Sequence, residues 1–125
     1  NRFAEPTAEL RYQARPELVE PSLEEMLAWD QATFSRIMAG SPIKRTKRRG
    51  LLRNVAVALG NAGDRGAIPA LGRCLEQEAE PLVRGHAAWA LGQLGGPAAK
   101  AALEQARGDG DEFVRSEVEA ALAQR

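Results

Sequence analysis

From residue 22 onward, apolar residues recur every three to four positions, which is the spacing that buries one face of an α-helix. Two short helices are predicted first. Ser22 is expected to cap one of them, with Glu25 as its capping-box partner, and Asp30 is expected to cap the other. Ser41 followed by Pro42 then predicts an N-cap and the first residue of a third helix.

A repeat occupies the rest of the chain. One tripeptide, two apolar residues followed by Arg, recurs at a spacing of 31 residues both times, and its copies begin at Leu51, Leu82 and Phe113. A second signature, Ala-Leu-Gly, recurs at spacings of 32 and 31 and ends in Ala in its third copy; its copies begin at Ala58, Ala90 and Ala121. Repeated helical units that bury apolar faces only against each other are typical of solenoids.

Partner helices are predicted between these copies, at about residues 65–78 and 97–107. Gly63 and Gly95 are expected to end the helices that precede them, and Pro81 and Pro97 are expected to start new helices.

The segment from Val83 to Gly92 matches V-R-x-x-A-x-x-A-L-G, the second-helix pattern of HEAT-like repeats. The resemblance predicts an all-α fold, a HEAT-like α-solenoid of about three helix pairs. Residues 1–20, which contain Pro6 and Pro16 and lack a helical period, are predicted to be an extended tail or connector. Residues 21–125 are predicted to form the repeat domain.

Composition supports helix, because Ala and Leu supply 37 of the 125 residues whereas Val, Ile and Thr supply only 12. One Cys and one His leave no disulfide framework and no Cys/His spacing for zinc or an iron–sulfur cluster. No apolar run approaches the roughly 18 residues of a membrane span. We also find no paired carboxylates, phosphate-cradling glycine loop or activated nucleophile, so an enzyme within this chain is rejected.

Charge is segregated although 17 basic and 17 acidic residues cancel. Six cations and no acid lie within residues 44–53, namely Lys44, Arg45, Lys47, Arg48, Arg49 and Arg53. On a helix, Arg45, Arg49 and Arg53 form one ridge and Lys44 and Arg48 form a parallel one. Successive side chains of a ridge are about 6 Å apart, close to the spacing of nucleic-acid phosphates. The run therefore predicts a polyanion partner. The alternatives are a solvated face or cations that neutralise acids of a neighbouring domain.

Residues 41–61, in the form S-P-I-K-R-x-K-R-x-G-L-L-R-N-V-A-V-A-L-G-N, strongly resemble the segment that follows the iron–sulfur domain of epoxyqueuosine reductases. Asn1 to Ala4 resemble the residues after the last cluster motif of that family, and Leu23 to Phe34 resemble its connector. The resemblance implies a cytoplasmic parent oxidoreductase that reduces epoxyqueuosine to queuosine in tRNA with a cobalamin and two [4Fe–4S] clusters.

None of that machinery is in this chain, so the resemblance implies a C-terminal tRNA-docking domain with no catalytic residue, metal or cofactor of its own. A start at Asn1 without Met agrees with a piece that begins just after the last cluster ligand. The expected partners are the anticodon stem-loop of tRNA and the upstream catalytic and iron–sulfur domains of the same polypeptide, with no membrane. The alternative function is a HEAT-like protein-interaction scaffold with a basic stripe.

The residues expected to hold phosphate are the six cations of 44–53. Asn54 is predicted either to hydrogen-bond the RNA backbone or to make a hydrogen bond within the repeat. Arg84 and Arg115, at the repeat Arg position, are predicted to bind carbonyls or acids of the adjacent repeat. Cys74 and His86 are expected to be structural, and the same holds for the two Trp residues.

Overall fold

The computed structural model describes residues 22–40 and 47–124, and within these ranges the chain is helical and contains no strand. The helices are α1 (Leu23–Leu27), α2 (Gln31–Ile37), α3 (Lys47–Ala62), α4 (Ile68–Gln77), α5 (Pro81–Leu94), α6 (Pro97–Gln105) and α7 (Glu112–Leu122), with a short 3-10 helix at Arg65–Ala67 before α4. None of the described helices is both long enough and apolar enough to cross a bilayer. The predicted tail, 1–20, and the predicted helix start at Ser41 and Pro42 lie outside the described residues.

The two predicted N-caps are confirmed. The Ser22 hydroxyl accepts a hydrogen bond from the Glu25 backbone N–H at 3.1 Å, and the Ser22 N–H donates to Glu25 Oε1 at 2.9 Å, which completes the capping box. The Asp30 carboxylate accepts from the Thr33 N–H at 2.8 Å. Both caps satisfy backbone donors that the first turn of a helix leaves without a partner.

The predicted helix ends are also confirmed. Gly63 follows the last residue of α3 with φ of 75°, and Gly95 follows α5 with φ of 69°, a left-handed conformation that favours glycine. Pro81 and Pro97 are the first residues of α5 and α6. The loops before Pro81 (78–80) and before Pro97 (95–96) are short, so the helices that they join pack as antiparallel neighbours.

The helices form two layers. Helices α3, α5 and α7 lie side by side in the first layer, and α1, α4 and α6 lie in the second, each contacting the first. Leu52, Val83 and Val114 occupy the same position in three successive repeats and are all fully buried between the layers. The predicted HEAT-like α-solenoid is therefore confirmed, and α3 forms one end of its first layer.

The glycines of the Ala-Leu-Gly signature allow the first-layer helices to approach closely. A Cβ added at Gly60 would lie 2.8 Å from Trp89 Cζ3, and one added at Gly92 would lie 2.7 Å from the Cβ of Ala121. The third copy of the signature ends instead in Ala123, which is exposed and directly follows the last residue of α7. Among residues 22–40 and 47–124, the glycine is thus present at the two seams where another first-layer helix packs on it.

Candidate nucleic-acid interface

Helix α3 presents cations to solvent at the end of the first layer. Lys47 and Arg49 are exposed, the Arg49 side chain by 59%, and Arg53 is half-buried. The helix has no acidic residue. Because Arg49 and Arg53 are one turn apart, their side chains share a face and start about 6 Å from each other along the axis. Lys44 and Arg45 lie outside the described residues.

Arg48 does not belong to this exposed group. Its Nε donates to the Trp29 carbonyl at 2.7 Å, and its Nη1 and Nη2 donate to the two carboxylate oxygens of Glu78 at 2.9 and 2.5 Å. The side chains of Arg48 and Glu78 are only 14% and 6% exposed. These contacts leave little of the Arg48 guanidinium for a phosphate and so disfavour the contact with RNA that the sequence predicts, which stays a prediction.

A signal in the sequence could have separated Arg48 from its neighbours. Arg48 precedes Leu52 by four residues and Val55 by seven, and both are fully buried. Positions four and seven apart share a helix face. The row that contains Arg48 therefore enters the core one turn later, at Leu52, whereas the row of Arg49 still carries the half-buried Arg53 one turn later and becomes buried only at Val57.

The repeat Arg position has a structural role in the second and third repeats. Arg84 binds an acid of the adjacent repeat, as predicted, whereas Arg115 binds a carbonyl in the loop of its own repeat. Arg84 donates from Nε and Nη2 to the carboxylate of Asp109, both at 2.9 Å, and from Nη1 to the Glu78 carbonyl. Arg115 donates from Nη1 to the Asp109 carbonyl at 2.6 Å. Each Arg thereby ties the first turn of its helix to the loop that precedes it.

Arg53 occupies the same repeat position as Arg84 and Arg115 but has a different hydrogen-bond partner. Its Nε donates to the Asn54 side-chain oxygen at 3.1 Å, and among the described residues it forms no ion pair. Arg48 binds Glu78 in its place, and Glu78 precedes Asp109 by the repeat spacing of 31 residues. The ion pair to the next repeat is thus formed by Arg48 and not by Arg53. The sequence analysis did not identify Glu78 as a partner for an Arg of α3, although Glu78 stands one repeat before Asp109, the partner of Arg84.

Asn54 is 6% exposed, which leaves little of its surface for RNA. Its hydrogen bond from Arg53 supports the second of its two interpretations, a contact within the repeat that also orients the Arg53 guanidinium. A direct contact of Asn54 with RNA stays a prediction.

The remaining chemically reactive side chains are buried. Cys74 is 6% exposed, and burial raises the pKa of its thiol to about 12, so it stays protonated and unreactive near neutral pH. Trp29, Trp89 and His86 are likewise buried, and Nδ1 of His86 lies 2.8 Å from the Leu82 carbonyl. No group of three or more His, Cys, Asp or Glu arranged to hold a metal ion occurs among residues 22–40 and 47–124.

Two carboxylates make the stability of the stack depend on pH. Burial alone would raise the pKa of Glu78, but hydrogen bonds from Arg48 and from the Glu80 N–H outweigh burial and hold this pKa below its ordinary 4.5. Hydrogen bonds from Arg84 hold the pKa of Asp109 below its ordinary 3.8. A carboxyl with a lowered pKa stabilises the fold above the unfolded-state pKa and loses that contribution as the pH falls through the folded-state value.

We therefore expect the urea midpoint of unfolding to be flat between about pH 7 and 5 and to fall below about pH 4. Circular dichroism at 222 nm along a pH series measures it. The D109N variant, in which one of the two carboxyls no longer titrates, should show a shallower fall. A midpoint that is unchanged down to about pH 3 would contradict the assigned role of both ion pairs.

Comparison with known proteins gives matches over most of the chain. A family model described as HEAT repeats matches residues 45–123. The epoxyqueuosine reductase of Alicycliphilus denitrificans is 42% identical over 100 residues, which cover 74% of this chain and 28% of the relative. That of Bacillus subtilis is 31% identical over 105 residues, which cover 83% of this chain and 27% of the relative. The chain thus spans little more than a quarter of the length of these relatives.

Solved structures agree with the sequence relatives. A crystal structure of selenomethionine-labelled epoxyqueuosine reductase superposes with a TM-score of 0.77 at 30% identity, covering 86% of this chain and 29% of that one. A crystal structure of epoxyqueuosine reductase with an epoxyqueuosine-modified tRNA-Tyr stem loop superposes with a TM-score of 0.73 at 31% identity, again covering 86% of this chain and 29% of the other. Both the fold and the sequence are therefore similar to part of these proteins.

Proposed function

Because the chain belongs to the HEAT-repeat family and is homologous to part of the epoxyqueuosine reductases, we propose that it is a non-catalytic docking domain for the anticodon stem-loop of tRNA. In this role it acts with the catalytic and iron–sulfur domains of such a reductase, which lie upstream in the same polypeptide and reduce epoxyqueuosine to queuosine. The observation that carries the proposal is the exposed cationic face of α3, formed by Lys47, Arg49 and Arg53.

The chemistry of this face suits a nucleic-acid backbone. Phosphate contacts supply affinity and register without reading sequence, and a rigid helix holds such contacts at a fixed spacing. Arg49 and Arg53 can each donate two parallel hydrogen bonds to one phosphate. A relative that has been crystallised with a tRNA stem loop supports the choice of RNA over another polyanion. The predicted contacts of Lys44 and Arg45, which precede this face in sequence, belong to the same proposal.

The cofactors of the parent family do not fit the residues of this chain. Each [4Fe–4S] cluster requires four cysteine thiolates, whereas the chain has a single Cys, which is buried in α4. Redox chemistry is therefore assigned to the upstream domains, and the residues of this chain bind and position RNA.

The test is RNA binding by the purified chain, measured by fluorescence anisotropy with a labelled tRNA-Tyr anticodon stem-loop. The triple variant K47A/R49A/R53A should bind at least about tenfold more weakly at 0.1 M salt. Because each phosphate contact adds about −0.7 to −0.9 to the slope of log affinity against log salt, the triple variant should make that slope about 2 to 3 less steep.

A charge-matched variant on the second layer provides the control. It removes three cations of α4, α6 and the loop that follows α6, namely Arg73, Lys100 and Arg107. This control should retain nearly the wild-type affinity. Equal losses in both triple variants would mean that RNA responds only to net charge, and absence of binding by the wild-type chain at low salt would refute the docking role. Specific capture of an acidic protein, with RNA bound no better than by an unrelated basic helix, would favour the scaffold function.

A further inference from the structure

The loop between α4 and α5 meets the first turn of α3 with two acidic residues, Glu78 and Glu80. Glu78 binds Arg48 through both carboxylate oxygens and is nearly buried. Glu80 Oε1 lies 3.9 Å from Nη1 of Arg49, and both side chains are exposed, by 42% and 59%. Two consecutive cations of α3 thus have acidic partners from the same loop, one held tightly and the other loosely.

The backbone fixes the position of Glu80. Its own N–H donates to Oε2 of Glu78 at 3.0 Å, and it is the N-cap residue of α5, directly before Pro81. The loop is anchored in turn by Arg84, which donates to the carbonyls of Glu78 and Ala79. The carboxylate of Glu80 is therefore presented to α3 from a rigid base.

Glu80 also departs from the pattern of its repeat. Asp111, 31 residues later, is the N-cap of α7, and its carboxylate accepts a hydrogen bond from the Val114 N–H at 3.1 Å. Glu80 makes no such side-chain hydrogen bond to its own helix. Its longer side chain reaches Arg49 instead, so this repeat has an acid that faces the cationic face rather than one that caps a helix.

A pair of this kind is easily exchanged. An exposed ion pair with 3.9 Å between its charged atoms contributes little to stability. It does lower the local positive potential, and a phosphate that approaches Arg49 meets the carboxylate of Glu80 at close range. Neutralising Glu80 removes both the competition for Arg49 and the repulsion of the phosphate.

We propose that Glu80 is an internal competitor for RNA at Arg49, a specificity-determining residue that limits how strongly α3 binds polyanions. The inference rests on the docking role proposed above. RNA that engages Lys47 and Arg53 together with Arg49 displaces Glu80, whereas a polyanion that engages Arg49 alone does not. Glu78 has the complementary role of withdrawing Arg48 from the surface altogether.

The test is a double-mutant cycle on RNA affinity with the variants E80Q, R49A and R49A/E80Q. The stem-loop RNA described above is the probe, in about 50 mM salt, and circular dichroism verifies that each variant is folded. E80Q should bind RNA about two- to fivefold more tightly than wild type, which is the range expected for one exposed charge pair. In the R49A background the same change should give less than half of that gain. Single-stranded poly(U), which lacks the stem-loop geometry, should gain at least as much from E80Q as the stem-loop does.

The variant E76Q removes an exposed acid of α4 and serves as the matched control, expected to change affinity by less than about 1.5-fold. An E80Q variant that binds RNA no more tightly than wild type would overturn the inference. So would an equal gain in RNA affinity from E80Q in the R49A background. A gain in poly(U) affinity smaller than the gain in stem-loop affinity would also overturn it. These results leave the docking role intact as long as the K47A/R49A/R53A variant has lost affinity. If the wild-type chain binds neither RNA, the docking role fails, and the inference falls with it.

Discussion

Replacing Glu78 with Ala should lower the free energy of unfolding by about 1.5–3 kcal/mol, because it leaves the partly buried guanidinium of Arg48 without its charged hydrogen-bond partner. Arg48 links three elements, since it also donates to the Trp29 carbonyl at the turn between α1 and α2. Removing Glu78 additionally frees the Glu80 N–H at the start of α5. Urea denaturation followed by circular dichroism measures the loss.

A surface ion pair of similar length provides the comparison for this effect. Nε of Arg107 lies 2.7 Å from Oε1 of Glu104, but these side chains are 50% and 44% exposed. E104A should therefore lower the urea midpoint far less than E78A does. If E78A and E104A destabilise the chain equally, the pair of Arg48 and Glu78 is no more than another surface contact. The assignment of Arg48 to the fold would then have to be withdrawn.

Replacing Gly92 with Leu should cost about 3 kcal/mol, because the new side chain would have to enter the contact between α5 and α7. A Cβ at this position already lies 2.7 Å from the Cβ of Ala121 and 3.0 Å from its Cα, which belongs to the backbone and cannot swing away. Overpacking of this kind typically costs about 1–3 kcal/mol, and a whole Leu side chain is at the upper end of that range.

The repeat itself supplies the control for this prediction. Ala123 occupies the position of Gly92 in the last copy of the signature, where it is exposed. A123L should therefore change the free energy of unfolding by less than about 0.5 kcal/mol. In the second layer, Gly72 has only the Cβ of Ala102 near its own missing Cβ, at 3.7 Å. G72A should stabilise the chain by up to about 1 kcal/mol through helix propensity. If G92L, A123L and G72A all destabilise the chain, the close contact between α5 and α7 is not the reason for the cost of replacing Gly92.

Local rules were sufficient to predict most of the fold from the sequence. The capping box at Ser22, the helix ends at Gly63 and Gly95 and the starts at Pro81 and Pro97 depend on a few neighbouring residues, and each is found where it was predicted. The 31-residue spacing then determined which helices are equivalent. Fold class follows from such patterns because each repeat packs only on its neighbours.

The cationic face was less predictable from the sequence. The charged residues of 44–53 are all basic and look alike in sequence, but their side chains lie in different environments in the fold. Which of Arg48, Arg49 and Arg53 is exposed depends on how α3 is rotated against α1 and α5, and partners 19 to 30 residues away along the chain contribute to that rotation. The acids that pair with two of these cations, Glu78 with Arg48 and Glu80 with Arg49, lie in a different helix pair. Charge counting treats all the cations alike and cannot show that the fold neutralises one of them.

The methyl group of Ala123 also restricts how a chain of this type can grow by duplication of its gene. A copied unit appended behind α7 would have to lay its first-layer helix on alanine, at a position where the neighbouring units provide glycine for that contact. A unit inserted between α3 and α5 would instead have glycine at the seams on both sides, at Gly60 and at its own copy of Gly92. Insertion of a unit between α3 and α5 is therefore easier than addition of one directly behind α7.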